Sequence, residues 1–429
     1  MIRASRFLAG IAAFFVMADA ATAQYPQPMV YPPTTYAQPA PNVVDYNVGR
    51  HRNRWDERQP IEQFLIQMGQ RSWIRFEYMQ MEIERPGDQA IGAPISNFSS
   101  AADVNGTRQV TDPITGTDFG FSTIPTLNDL TLDNAPGIRG TYGIWFNGGS
   151  IEFSVFGTEQ VSDGFQLSNL QGNRQPDPTL PAPPSAALGT EFDPNIIIPL
   201  SLNGVSPTIP TTGPITDLAV IGFDSGYQTS VRSQIWGSEL NVLSAAVQQS
   251  DQLQWQWLGG FRYTSFDESF GQVGVRDNAG LISPPITTRI RSSVSNNIYG
   301  PSVGFRMSLA SKYVTLSATP RVTFALNDYT SRLVASGDLP APIVSEMEEI
   351  DFTTLTQVSL MAEVNLSESF SLYGGYDFMW SYRMARPYRG INYDSTVPIG
   401  GSREARISLS PDPESMYLQG FTFGATLRF

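Results

Sequence analysis

From residue 71 onward, apolar and polar side chains alternate with a period of two, in segment after segment separated by turn-rich stretches. A period of two places successive side chains on opposite faces of an extended strand, so each segment has one apolar face and one polar face. The end of the chain shows this best. Tyr417, Gln419, Phe421, Phe423, Ala425, Leu427 and Phe429 share one parity, while Leu418, Gly420, Thr422, Gly424, Thr426 and Arg428 share the other. The same frame recurs in 253–264, 299–309, 314–327, 357–366 and 370–383, with weaker versions near 73–82, 138–147, 150–158 and 234–246. The pattern predicts an all-β chain of about ten strands, with room for twelve, each long enough to cross a bilayer at a tilt.

The connections separate a barrel from a soluble sandwich. They run long and short by turns: 86–137, 148–149, 160–233, 247–251, 267–295, 310–312, 328–351, 367–369 and 384–415. A sandwich has no reason for that asymmetry, whereas outer-membrane barrels have short periplasmic turns and long outer loops. Charge gives a second test. The chain is 16% charged, yet the apolar parity of the strands carries no charge. Arg or Lys on a lipid-facing position at the bilayer midplane costs roughly 2 to 4 kcal/mol. The opposite parity carries Arg75, Glu77, Glu152, Glu239, Arg262, Arg306, Arg321, Glu363, Asp377, Arg383 and Arg428, which would line the lumen. The expected architecture is a transmembrane antiparallel up-and-down β-barrel over 71–429, closed so that lipid meets no unpaired backbone group.

What precedes residue 71 reads as an address and a linker. Arg3 and Arg6, an apolar run over 7–17 and Ala21-Thr22-Ala23 before Gln24 form a signal peptide over 1–23. A Pro-rich and Arg-rich periplasmic segment over 24–70 follows, lacking the apolar pattern of a core. The chain is thus expected to be exported to the outer membrane. Beyond the N-terminus no stretch approaches the roughly 18 apolar residues of a membrane helix.

Composition then removes whole classes of chemistry. With no Cys there is no disulfide, no thiolate metal site and no catalytic thiol, and one His excludes a multi-His metal centre. A Ser-His-Asp triad would need His51, which precedes the first strand. Asp103-Val104-Asn105-Gly106 opens like a calcium loop, but no later acid falls in register. No enzyme and no cofactor are expected. The formal charge of −13 argues against nucleic acid as a partner. It becomes −14 after residue 23, a sum that equals the −5, −4 and −5 of segments 86–137, 160–233 and 328–351. Acidic outer loops of this kind suit divalent cations or envelope glycans as partners, against the plainer reading of solvated surface charge.

Five motifs stand out in order: Trp73-Ile74-Arg75-Phe76-Glu77-Tyr78, Gly259-Gly260-Phe261-Arg262-Tyr263 running into Phe266-Asp267-Glu268-Ser269-Phe270, Asn297-Ile298-Tyr299-Gly300-Pro301-Ser302-Val303-Gly304-Phe305-Arg306, Ala385-Arg386-Pro387 and Leu418-Gln419-Gly420-Phe421-Thr422-Phe423-Gly424. In that order they resemble the motifs of an outer-membrane β-barrel family abundant in planctomycetes. The resemblance implies an outer-membrane barrel without enzymatic residues. The terminal Phe429, with Tyr417, Phe421 and Phe423 at alternate positions before it, also resembles the carboxy-terminal signal by which bacterial barrels are recognised for assembly. Outer-membrane lipids and the barrel-assembly machinery are therefore the expected partners. A barrel of about ten strands is narrow. Its expected role is a narrow polar pore for passive diffusion of small solutes or ions. The alternative is a structural or surface-interaction barrel, adhesin-like, with a closed lumen.

Overall fold

The structure is a computed structural model. It describes Gly69 and residues 71–429, apart from 88, 95–107, 112–117, 123, 169–195, 207–219, 249–251, 278–283, 312 and 397–403. The signal-peptide reading, the 24–70 segment except Gly69, His51 and the stretch 103–106 lie outside the described residues. No described helix is long and apolar enough to cross a membrane, which says nothing of strands.

Ten antiparallel strands carry the fold: β1 (Ser72–Ile83), β2 (Leu132–Phe146), β3 (Gly149–Thr158), β4 (Gly226–Ser244), β5 (Leu253–Arg276), β6 (Ile286–Ala310), β7 (Val314–Ser336), β8 (Ile343–Asn365), β9 (Phe370–Met384) and β10 (Glu414–Arg428). Each pairs with its neighbour in sequence, and β10 returns to pair with β1 from Trp73 opposite Arg428 to Ile83 opposite Leu418. The circuit is therefore a ring, with every one of these strands hydrogen-bonded on both sides. Short turns join β2 to β3, β4 to β5, β6 to β7 and β8 to β9, all at one end. Asn147-Gly148 makes the tightest of them, with two residues between the strands. Gly149 follows at φ +146, where a Cβ would strike the Leu243 carbonyl.

Two of the expected long loops are strands. The ladder of β5 and β6 continues through 267–295 to Arg276 opposite Ile286, and that of β7 and β8 runs through 328–351 to Ala335 opposite Ile343. Their tips shrink to 277–285 and 337–342. The cause is an inversion of polarity along one unbroken strand. Near the short turns the outward positions are apolar, as with Trp257, Val303, Leu316 and Phe324, which stand 48 to 72% exposed. Further along, the outward positions become Asp267, Ser293, Arg291 and Arg332, while the inward ones become Phe266, Phe270, Ile290, Leu333 and Ala335, all buried. Alternation persists while its phase flips, so a reading that tracks one apolar parity ends each strand too early.

The long-loop half of the interior is consequently an apolar core. Side chains of the wall, among them Tyr227, Val231, Phe270 and Leu333, share one cluster with Ile196, Ile198, Leu200 and Phe223 from the β3–β4 connection and with Tyr388, Ile391, Tyr393 and Ile407 from the β9–β10 connection. Within those connections Ile196–Pro199 pairs with Val220–Phe223, and Ile391–Thr396 pairs with Glu404–Leu409 and with Ser201–Leu202. The loops thus satisfy their own backbone groups while filling the mouth.

Candidate functional site

The polar parity of the short-turn half converges inside the ring. In the middle layer a chain of contacts crosses the interior. Glu77 of β1 faces Arg139 of β2 (Nη1 to Oε2, 3.1 Å), and the same nitrogen reaches Asp377 of β9 (3.1 Å). Asp377 Oδ1 accepts from Gln357 Nε2 of β8 (3.2 Å). Gln357 Oε1 in turn accepts from Arg262 of β5 (2.5 Å) and from Arg321 of β7 (2.6 Å). Both arginines meet Glu239 of β4. Arg321 grips it with two nitrogens at 2.5 and 2.7 Å, and Arg262 stands 3.5 Å away. Phe156 of β3 lies under the guanidinium carbons of Arg139 (5.7 Å) and Arg262 (5.4 Å). Eight of the ten strands therefore meet in this layer.

A second layer lies nearer the short turns. Arg306 binds Glu152 through two nitrogens at 2.8 and 2.9 Å. Arg428 pairs with Glu363 at 2.5 Å, with Arg75 at 4.0 Å from the other oxygen. Arg75 also sits over the rings of Trp73 (5.1 Å) and Tyr373 (4.8 Å). Gly143 makes room for that packing, since a Cβ there would lie 2.2 Å from the Trp73 ring.

The two layers differ in their access to water. Side chains of Glu239, Arg262 and Arg321 are 5 to 8% exposed, whereas Arg306 and Arg428 are 20 and 34% exposed. The interior is thus partly wet at the short-turn end, dry and ion-paired in the middle, and apolar beyond. Desolvating charge costs several kcal/mol per ion unless partners replace the water. Two-pronged arginine–carboxylate geometry and the Gln357 hub supply those partners.

Ten of the eleven residues expected in the interior take part in these contacts. Arg383 does not. The pairing of β9 with β10 shifts register between Ser381 and Met384, Arg383 takes φ +57, and its side chain is 45% exposed beside Asp351 at 3.1 Å. A bulge thus turns the strand at this point, and the parity argument fails with it. Arg139 is an interior charge of these layers that the parity reading omits. Its signal is present in the outward frame of Ile138, Gly140 and Tyr142, and it stands directly opposite Glu77. Glycines on either side weaken the strand pattern there.

Beyond the charged layers a further buried pair anchors the β9–β10 connection. Arg386, 1% exposed, meets Glu268 at 2.5 Å and donates to the Glu84 carbonyl at 3.2 Å. Its guanidinium also lies over Tyr388 (5.1 Å) and Phe266 (5.8 Å). Asn296 holds the same strap through both backbone groups of Ala385, at 2.9 and 3.1 Å. Farther along, Asp394 accepts from Ser201 Oγ (2.7 Å) and the Gly204 N–H (3.2 Å). Burial pushes its carboxyl up, but these donors outweigh it and hold the group below the usual range. The aromatic residues near the end of the chain line the outer face. Phe421 and Phe423 are more than half exposed, Tyr417 stacks on Phe378 at 6.4 Å, and the Phe429 N–H donates to Ser72 at 3.0 Å. Among the described residues no group of His, Asp and Glu is placed to hold a metal ion.

No curated protein matches the chain. Among solved structures it is similar to the outer membrane protease OmpT from Escherichia coli, at 9% identity and a TM-score of 0.43, over 84% of this chain and 97% of that one. It is also similar to the Pseudomonas putida toluene transporter TodX, at 7% identity and a TM-score of 0.25, over 83% of this chain and 89% of that one. A family model matches residues 73–337, from the first strand of the ring to just past β7, which is more than half of the chain. The chain is an outer-membrane protein and belongs to the family "Putative beta barrel porin-7 (BBP7)".

Proposed function

We propose that the ring is a closed transmembrane barrel offering small polar solutes or ions a narrow path, shut at rest by the ion-paired layer and the apolar packing above it. The observation that carries this reading is the graded interior: side chains at the short-turn end are partly wet, while those around Glu239 and Gln357 are nearly dry. A charged lining is expensive to build, and an apolar core would have closed the barrel without that cost. The outward band near the short turns faces lipid, the short turns face the periplasm, and Tyr417, Phe421, Phe423 and Phe429 present the assembly signal. The reading assigns no catalytic step, because the interior carboxylates are engaged by arginines. It also follows the motif order that resembles planctomycete barrels.

Planar-bilayer recording of the purified protein tests the path. The intact chain is expected to show rare, small openings, and replacement of 387–412 by a short Gly-Ser linker to make those openings more frequent, the ion-paired layer still closing the path between them. Silence in both proteins would favour the second reading, a sealed surface-interaction barrel, which draws its support from the continuous apolar core of the long-loop half.

A further inference from the structure

The interior arginines all have carboxylate partners, so arginines without one stand out. Four lie together on the outer face of the long-loop half. The register sets Arg232 of β4 opposite Ser269, Ser269 opposite Ser293, and Ser293 opposite Arg332 of β7, in one row across four strands. In the next row Ser230, Gly271 and Arg291 lie side by side, and Arg289 follows two residues along β6. The result is a floor of Ser and Gly edged by four guanidiniums. All four arginines are exposed, and none has an ion-pair partner among the described residues. Asp267, one row nearer the short turns, and Glu346, opposite Arg332, border the patch without pairing to it.

Arg289, Arg291 and Arg332 occupy neighbouring strand positions, about 5 to 8 Å apart, where like charges oppose each other, while Arg232 closes the far side of the serine floor, three interstrand spacings from Arg332. In a chain of net charge −13 such a concentration runs against the average. Guanidiniums bind phosphate in a planar, two-pronged manner, and small hydroxyl-bearing residues leave room for the ligand to approach and add donors. Height narrows the choice of ligand. The arginines lie about 13 to 34 Å along their strands beyond Trp236 and Tyr299, the last outward aromatics of β4 and β6. A simple phospholipid headgroup sits too low to reach most of them. A phosphorylated saccharide standing above the bilayer does reach.

We infer that this patch docks the phosphorylated glycan of an outer-leaflet glycolipid. The inference rests on the long-loop half facing outward, as proposed above. Full-length protein in phosphatidylcholine nanodiscs is titrated with phosphorylated lipopolysaccharide, the same lipopolysaccharide after phosphatase treatment, and inorganic phosphate. Tight, salt-sensitive binding of the phosphorylated form alone is expected, weakened about tenfold or more by R232Q/R289Q/R291Q/R332Q. The double variant R291Q/R332Q gives a partial loss and serves if the quadruple variant fails to fold. Equal binding after phosphatase treatment, equal binding by either folded variant, or inorganic phosphate binding as tightly as the glycolipid would overturn the inference. Orientation is checked separately. The chain has no Cys, so A341C at the β7–β8 tip either reacts with an impermeant maleimide on intact cells or shows the orientation to be reversed. Reversal would place the patch away from the outer leaflet and overturn the inference through its premise, whatever the nanodisc result.

Discussion

Glu239 is where the balance of burial and pairing is sharpest, because two arginines depend on it. Removing one member of a buried ion pair leaves the other desolvated without compensation, at a cost of roughly 3 to 5 kcal/mol. Glu239→Ala is therefore expected to destabilise the barrel by about that much, read from urea unfolding in detergent or lipid. Arg428→Ala at the wetter end should cost about 1 kcal/mol or less, because water replaces the lost partner. Backbone geometry sets a different limit at Gly149. Ala there meets both the strained φ and the Leu243 carbonyl, so Gly149→Ala should lower stability by more than about 1 kcal/mol. Gly148→Ala, one residue earlier and without a positive φ, should be close to neutral in the same assay. The parity of single residues was legible in the sequence for most of the interior. It failed where one residue breaks the count, at the Arg383 bulge, and where glycines blur it, at Arg139. Gln357 gave no signal at all, since an uncharged side chain on a polar face becomes a hub only through the three strands it joins.

Among the elements, the ten strands were legible and their lengths were not. β5 through β8 continue well past the points where the outward apolar frame stops, because their inward face takes over the apolar role. What the sequence left hidden was the loop packing that makes this possible: Ile196–Pro199, Ile391–Thr396 and the Arg386 strap supply the partner surface, and short isolated strands carry little periodicity. The strap is expected to hold this packing together. Arg386→Met should leave Glu268 buried and unpaired, and hydrogen exchange over 384–412 should rise before the ring itself loosens. Acid should act on the junction at Asp394. Its carboxyl is held below the usual range, so the stabilisation is present above the unfolded value, about 3.9, and is lost as pH falls through the folded value. Protection of the Gly204 N–H is accordingly expected to fall below about pH 4 and to be insensitive to pH above 5.

For the molecule as a whole, closure of the ring removes every exposed strand edge from the ten principal strands, which explains how so many long strands coexist without a template for further pairing. A heat-modifiable shift in gel migration is the expected mark of that closure, retained in the loop-replacement variant and lost in a variant lacking β10. The inversion of polarity along the wall has one more effect. On β5 the outward apolar run from Leu253 to Tyr263 spans about 34 Å of strand, or roughly 25 Å of height at a 40° tilt, and polar residues follow at once. The transmembrane barrel proposed above would thus carry its own ruler. Sinking by one residue pair would drag Asp267 toward hydrocarbon, and rising by the same amount would lift aromatic rings into water. Thickness mismatch is therefore costly in both directions, and the chain is suited to a thin bilayer, where it should sort and where a thicker host membrane should exclude it.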